Sequence, residues 1–513
     1  MKINQLKIGS LLSYLQMGLG VLVGLCYTPV MIRLLGPSEY GLYNTVSSTI
    51  AMMSVLSLGF NSSYIRFYSK YQKENDKESI YKLNGLFLSI YLLIALIVLL
   101  CGAFLTGNLE LVFDEGLTDV EYGIARVLML ILTVNLAISF PMSVFSSIIS
   151  AHERFVFLKV LGIGKTVVGP LVTLPLLLMG YRSITMVLVS VCISLLVDIT
   201  YLFYTLVILR QRFKLGRLEA GLFRSLFSYT AFIAINLLID QINWNLGKVM
   251  LGRYKGTAAV SVYSVGYTLF HYYQMFSTSV SSVFTPRVHS IVRSLEHDRD
   301  QLRRALTELF IKVGRIQFLI LGLVASGVVF FGREFIVSFW AGEEYQDSYY
   351  IALLLMLSVT VALIQNIGIE IQRAENKHHF RSIAYAGMAL LNLGMLVFFS
   401  QRYGAVGAAI GTAVSFVLAN GLVMNIYYHK KCNIDIIAFW KSIGRLSVGL
   451  ILPIGFGILL RYFLDLNHIF YYLVGIVLYT VVYCASMWFT AMNDAEKNLV
   501  LKPVKKALLR LKR

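Results

Sequence analysis

Apolar runs of roughly 20 residues or more, each long enough to cross a bilayer as a helix, follow one another along almost the whole chain. They fall at 9–32, 40–65, 83–105, 123–150, 156–179, 183–209, 222–251, 257–285, 311–332, 348–372, 381–400, 404–428, 443–463 and 469–491. The polar breaks between them are short, and hydrocarbon accepts only helices or closed barrels. The pattern predicts an all-α polytopic membrane protein with about fourteen transmembrane helices. The opening "MKINQLKIG" has the basic start of a secretory signal. The run behind it is too long and ends at no small-residue cleavage site, so it reads as a retained first helix.

Composition narrows the class. Of 513 residues, 57% are hydrophobic and 14% charged, where a soluble domain carries about 25% charged residues. No connection is large enough for a catalytic ectodomain or a nucleotide-binding cassette. The 45 Lys and Arg outnumber the 27 Asp and Glu. They flank every span instead of clustering on one module, which excludes nucleic-acid binding as their purpose. With alternate loops taken together, 36 of the 45 lie on the side of the N-terminus, so both termini are expected in the cytoplasm. The tail "KNLVLKPVKKALLRLKR" sets Val500, Val504, Leu508 and Leu511 on one stripe among basic residues, a surface for anionic lipid. Cys26, Cys101, Cys192, Cys432 and Cys484 show no pairing or metal pattern.

Against this apolar background a few polar residues stand out, because a charge at mid-bilayer costs about 2.5–3.5 kcal/mol. Asp198 and Asp240 lie near the centres of spans 6 and 7, and His271 near the middle of span 8. Asn236, Asp240, Asn243 and Gly247 fall on one helical face, a polar stripe expected to border an interior space. Lys165 and Lys248 are cations within spans 5 and 7, and Glu370 and Arg373 have the i, i+3 spacing of an ion pair. "KVLGIGKT" lacks the first glycine of a phosphate-binding loop and lies inside a span. No metal, cofactor or catalytic centre is expected.

The chain echoes itself at an offset of about 215–225 residues. "LLSYLQ" at 11 returns as "LFSYTA" at 226, and "IRLLGPSEYGLYNTVSST" at 32 as "KVMLGRYKGTAAVSVYSVGYT" at 248. Six spans separate the copies, an even number, so the copies share one orientation, and transporters with such repeats bind between them. The expected organisation is a six-helix lobe over 1–210, a second over 211–430, two further helices over 431–492 and the basic tail 493–513.

Three segments then carry a family resemblance: "RLLGPSEYGLYNTVSS", "LSLGFNSSYIRFYSKY" and "QRYGAVGAAIGTAVSFVLANGLVMNIYYHKK". With the span 7–8 segment they resemble the polysaccharide-unit (Wzx-type) flippases of the multidrug/oligosaccharidyl-lipid/polysaccharide exporter superfamily. The resemblance implies two MATE-like six-helix bundles around a central cavity lined by spans 1, 2, 7 and 8, in a bacterial plasma membrane. It implies a polyprenyl-diphosphate-linked oligosaccharide as substrate, with polysaccharide polymerase and chain-length machinery as partners. On that reading Asn61, Arg66, Lys165, Asn236, Asn243 and Lys248 meet the substrate. Asp240, Asp198 and His271 couple an ion, and Glu370 and Arg373 form a cytoplasmic gate. A peptidoglycan-precursor flippase and a drug/cation antiporter are the alternatives within the superfamily. A membrane glycosyltransferase would need a large outer loop with catalytic carboxylates, and 106–122 is too short, so no enzyme is expected.

Overall fold

The computed structural model describes residues 5–113, 117–216, 220–295, 297–375, 377, 379–499 and 501. Every regular element among them is helical: α1 (Gln5–Met52), α2 (Phe60–Lys73), α3 (Lys77–Gly107), α4 (Asp119–Ala151), α5 (Phe155–Leu178), α6 (Ser183–Phe203), α7 (Ala220–Trp244) and α8 (Leu246–Ser294). Then follow α9 (Arg299–Glu334), α10 (Gln346–Ile364), α11 (Ile367–Ala374), α12 (His379–Phe416), α13 (Asn425–Lys430), α14 (Ile436–Ser447), α15 (Ile451–Phe463) and α16 (Ile469–Ser486). Short 3₁₀ and π turns join several of them. The stripe residues Val500, Val504, Leu508 and Leu511 of the expected tail lie outside the described residues.

Among the described residues, ten helical stretches are long and apolar enough to cross a membrane. Two of them, Lys7–Lys73 and Phe380–Lys430, each cover two of the expected spans, because helix resumes directly after a break at Gly36 or Gly404. The helices where spans 7 and 8 were expected, α7 and α8, are not among the ten. The all-helical polytopic class stands, while the count of fourteen does not follow from these stretches.

The chain forms two compact units, Met1–Ser264 with Ala389–Ala408, and Val265–Met388 with Ala409–Arg513. In the first, apolar residues at helical spacing knit three helices together. Phe60, Tyr64, Phe67 and Tyr71 of α2 pack on Leu83, Phe87, Tyr91 and Val98 of α3 and on Phe140, Val144 and Ile148 of α4. The Tyr64 and Phe87 rings meet edge to face at 5.3 Å, the geometry that the ring quadrupole favours. In the second unit, Phe330 and Phe331 of α9 pack on Leu460, Tyr472 and Tyr479 of the C-terminal helices.

A matching polar junction sits inside each unit. In the first, Asn61 Oδ1 accepts from Tyr91 OH at 2.8 Å and from Ser147 Oγ at 3.0 Å. In the second, Ser277 Oγ accepts from Gln317 Nε2 at 3.2 Å and Asn366 Nδ2 at 3.5 Å. Ser277 and Asn366 stand 216 and 219 residues after Asn61 and Ser147, the offset of the sequence echo. Away from water such bonds hold helices in register, each contributing about 1 kcal/mol.

His152, just past the end of α4, closes a second network in the first unit. Its Nδ1 donates to the Ile148 carbonyl at 2.8 Å, which leaves Nε2, 3.0 Å from Tyr68 OH, as an acceptor. Burial, with Arg154 nearby, holds its pKa below the ordinary value even though the Ile148 bond opposes this. A depressed folded pKa places the stabilising contribution above the unfolded value of about 6.5 and removes it as pH falls. Thermal stability should therefore decline below about pH 6.5, and His152→Gln should flatten that part of the profile in melting curves recorded between pH 5 and 8. Parallel profiles for the two proteins would refute the assignment.

Candidate functional site

The polar stripe of α7 belongs to the first unit. Asn236 and Asp240 are exposed on that unit, and Asn243 is half-buried. Asn243 does not stand alone: its Oδ1 accepts from Nδ2 of Asn392 on α12 at 3.2 Å. Asn392 is almost wholly buried, at 1% exposure, and its own Oδ1 has no hydrogen-bond partner. On the neighbouring face, Gln241 donates to Ser54 Oγ at 3.3 Å and accepts from Asn245 at 2.6 Å. Asn245 interrupts the helix between α7 and α8, so Lys248 starts a new segment and is half-buried there. Asn243 and Asn392 thus join amides from two helices, and Asp240 precedes Asn243 by three residues on the same face of α7.

The other candidates of this unit lie on different elements. Asn61 follows a left-handed pair, Leu58 and Gly59, that interrupts the second span, and its carbonyl is committed to Tyr91 and Ser147. Arg66, one turn further along α2, is exposed. Lys165 is exposed on α5 and is the charged neighbour of half-buried Asp198 on α6. Spans 5 and 6 therefore bring together two residues expected to have separate roles. In the second unit, His271 is exposed and its ring lies parallel to Tyr267 at 6.4 Å. Glu370 and Arg373 form the expected pair at 2.7 Å, with Arg373 exposed and Glu370 largely covered.

One end of the first unit is tightly closed. Gly36 (φ 77°, ψ 168°) and Gly256 (φ 79°, ψ 177°) break α1 and α8 in conformations that only glycine adopts without strain. The sequence echo pairs Gly36 with Gly252, whereas the backbone breaks pair it with Gly256, one helical turn on. Beyond the breaks the two segments touch without intervening side chains. A Cβ on Gly41 would sit 1.8 Å from the Thr257 carbonyl oxygen, and one on Gly252 2.7 Å from Thr45 Cγ2. Ser38 bonds both Glu121 of α4 and Thr257 Oγ1, the latter at 3.1 Å. Glu39 accepts from Ser183 N at 2.9 Å, from its Oγ at 2.5 Å, and from Arg182 Nη1 at 3.1 Å. The sequence reading missed these residues, since polar groups at span ends look like solvated loop. Asn392 was findable as a lone amide in the apolar run "ALLNLGM".

In the second unit a cavity of about 440 Å³ lies among α8, α9, α10 and the C-terminal helices, with Leu321, Val329, Val361, Trp440 and Ile454 in its wall. Its lining is almost wholly apolar, suited to a hydrocarbon chain and unsuited to a charged group. Among the described residues no three His, Cys, Asp or Glu side chains cluster as metal ligands.

Solved structures share this all-helical architecture. A structure titled lipid II flippase MurJ, inward closed conformation, matches with a TM-score of 0.66 at 16% identity, covering 93% of this chain and 97% of that one. An inward-facing multidrug resistance MATE family transporter of the MOP superfamily matches with a TM-score of 0.63 at 13% identity, covering 83% and 96%. A Shigella flexneri protein whose name assigns it to O-antigen transport is 20% identical over 418 residues, 78% of this chain and 92% of its own. The fold is that of the multidrug/oligosaccharidyl-lipid/polysaccharide exporters. Within that class, the chain belongs to the family described as polysaccharide biosynthesis protein, whose model matches residues 8–292.

Proposed function

We propose that the protein moves polyprenyl-diphosphate-linked oligosaccharide units from the inner to the outer leaflet of a bacterial plasma membrane, for assembly into capsule, exopolysaccharide or O-antigen. The supporting observation is the stripe of exposed Asn236 and Asp240 and half-buried Asn243 along α7, in a chain belonging to a polysaccharide biosynthesis family. A diphosphate-sugar headgroup cannot cross hydrocarbon, whereas its lipid tail has no need to leave it. A polar cleft open sideways to lipid meets both demands. The activity is transport, with no bond made or broken.

In this reading the lobes 1–210 and 211–430 alternate about the cleft, and both termini are cytoplasmic. The closed end built from Ser38, Gly41, Glu121 and Thr257 then faces outward, and the cleft receives substrate from the cytoplasm. Arg66, Lys165 and Lys248 neutralise the diphosphate in turn, while Asn61, Asn236 and Asn243 offer hydrogen bonds to sugar. Asp240, with Asn392 beside Asn243, takes the coupling ion, and Asp198 and His271 assist. Glu370 and Arg373 act as a gate at the cytoplasmic end. The inside-negative potential favours outward movement of the anion by about 2.3 kcal/mol per charge per 100 mV. The basic tail rests on anionic lipid, and polymerase and chain-length proteins receive the product. Deletion should leave polyprenyl-linked oligosaccharide on the inner leaflet, measured by lipid extraction and protection from impermeant probes. Accumulation of a lipid-linked peptidoglycan precursor in its place, or of no lipid-linked oligosaccharide, would refute this substrate.

A further inference from the structure

The helices α14–α16 stand outside the internal repeat, and the MATE structures cover 83–84% of this chain against 93% for the lipid II flippase. Their attachment is concentrated on one helix. Near the start of the apolar part of α9, Arg315 is 7% exposed and forms a two-pronged ion pair with Glu496, 4% exposed, at 2.5 and 2.9 Å. The same guanidinium bonds the Ser442 carbonyl and hydroxyl, both at 3.2 Å, and the Ala491 carbonyl at 3.0 Å. One side chain therefore gathers α14, the end of the last span and the segment beyond it. At the far end of α9, Glu334 pairs with Arg461 of α15 at 2.7 Å.

Arg315 and Glu334 are 19 residues apart, about 28 Å along a helix, close to the roughly 30 Å thickness of the hydrocarbon layer. The two ion pairs thus mark the two edges of the apolar layer, where water and headgroups tolerate charge. Between them the contacts suit hydrocarbon. Tyr483 OH donates to the Leu319 carbonyl at 2.8 Å, Tyr472 OH to the Phe331 carbonyl at 3.3 Å, and Phe331 meets Tyr472 and Tyr479 edge to face. Gly457 and Gly475 let the Phe330 and Phe331 rings lie directly against the backbone. Moreover α9 runs without a break from Arg299 to Glu334.

We propose that α14–α16 are splinted to α9 at both membrane edges and travel with it as one rigid body through the transport cycle. This rests on the carrier reading above, because a cycle requires motion. The three C-terminal helices act as a stiffener.

Two measurements test it in a background with the five native cysteines replaced. In the first, Ile320→Cys and Leu478→Cys, both exposed positions on the two bodies, carry spin labels read by pulsed electron resonance. The distance distribution should stay centred at one value in wild type and in Gly41→Ala, a substitution that disturbs the closed end of the other unit. A shift approaching one helical turn, about 5 Å, would overturn the proposal. In the second, Arg315→Cys with Glu496→Cys removes both charges together and leaves no orphan, and a bis-methanethiosulfonate reagent bridges the thiols. Flipping should stay within about twofold of the unbridged protein, whereas a loss of about tenfold that reductant reverses, as expected if the splint moved, would overturn it. Absence of flipping in the cysteine-free parent with Arg315 and Glu496 intact would count against the carrier reading, and the spin-label distances then decide the splint alone.

Discussion

Asp240→Asn is expected to insert and fold as wild type does while losing flipping by roughly 5- to 150-fold, the range spanned by a coupling free energy of 1–3 kcal/mol. The substitution keeps size and hydrogen-bonding capacity and removes only the charge that can take up a proton or cation. Asp240 is exposed on its own unit rather than packed in the core, so little of its cost should appear as instability. Its neighbours sharpen the expectation. Asn243 and Asn392 place amide oxygens one turn away, and one of them, Asn392 Oδ1, is buried with no hydrogen-bond partner. The measurement is inner-leaflet accumulation of the lipid-linked sugar in cells making the variant at normal level. Normal flipping would show that the cycle runs without this carboxylate.

Gly41→Ala should be nearly as damaging, for a different reason. The added methyl would fall 1.8 Å from the Thr257 carbonyl oxygen and 2.5 Å from its carbon. Backbone atoms cannot swing aside as a flexible side chain could, so the helices must part. Overpacking of this kind costs about 1–3 kcal/mol, which shifts the balance away from the closed arrangement by about 5- to 150-fold. The carrier should therefore spend more time open at that end and leak or stall. A cysteine in place of buried Thr45, which lies against Gly252, should react faster with an impermeant thiol reagent in the variant than in its parent. Equal rates would mean that the closed end tolerates the methyl and that the glycine has some other purpose.

The sequence carries much of the fold because bilayer physics is restrictive. Long apolar runs admit little but helix, and basic residues betray the sidedness of loops. The stripe on α7 and the Glu370–Arg373 pair were legible for the same reason, since both depend only on spacing within one helix. Contacts between helices were not. Asn392 meets Asn243 across 149 positions, and Arg315 meets Glu496 across 181; periodicity has no term for either. Arg315 in particular reads as one more loop cation, and only its burial shows that it does something else. Helix resumes directly after the breaks at Gly36 and Gly404, so two of the observed stretches each hold two hydropathy segments. Even the repeat was seen one turn out of step at Gly36, because matching letters and matching backbone need not coincide where the chain bends.

The paired junctions built on Asn61 and Ser277 also bear on how such a chain enters the membrane. The three members of the earlier one, at positions 61, 91 and 147, are all synthesised before any of the later trio at 277, 317 and 366. Nascent helices leaving the translocon can therefore satisfy their amides and hydroxyls promptly, without waiting for the second half of the polypeptide. A duplicated gene would pass on that advantage with each copy, so that assembly of a long, greasy chain proceeds in two self-sufficient instalments.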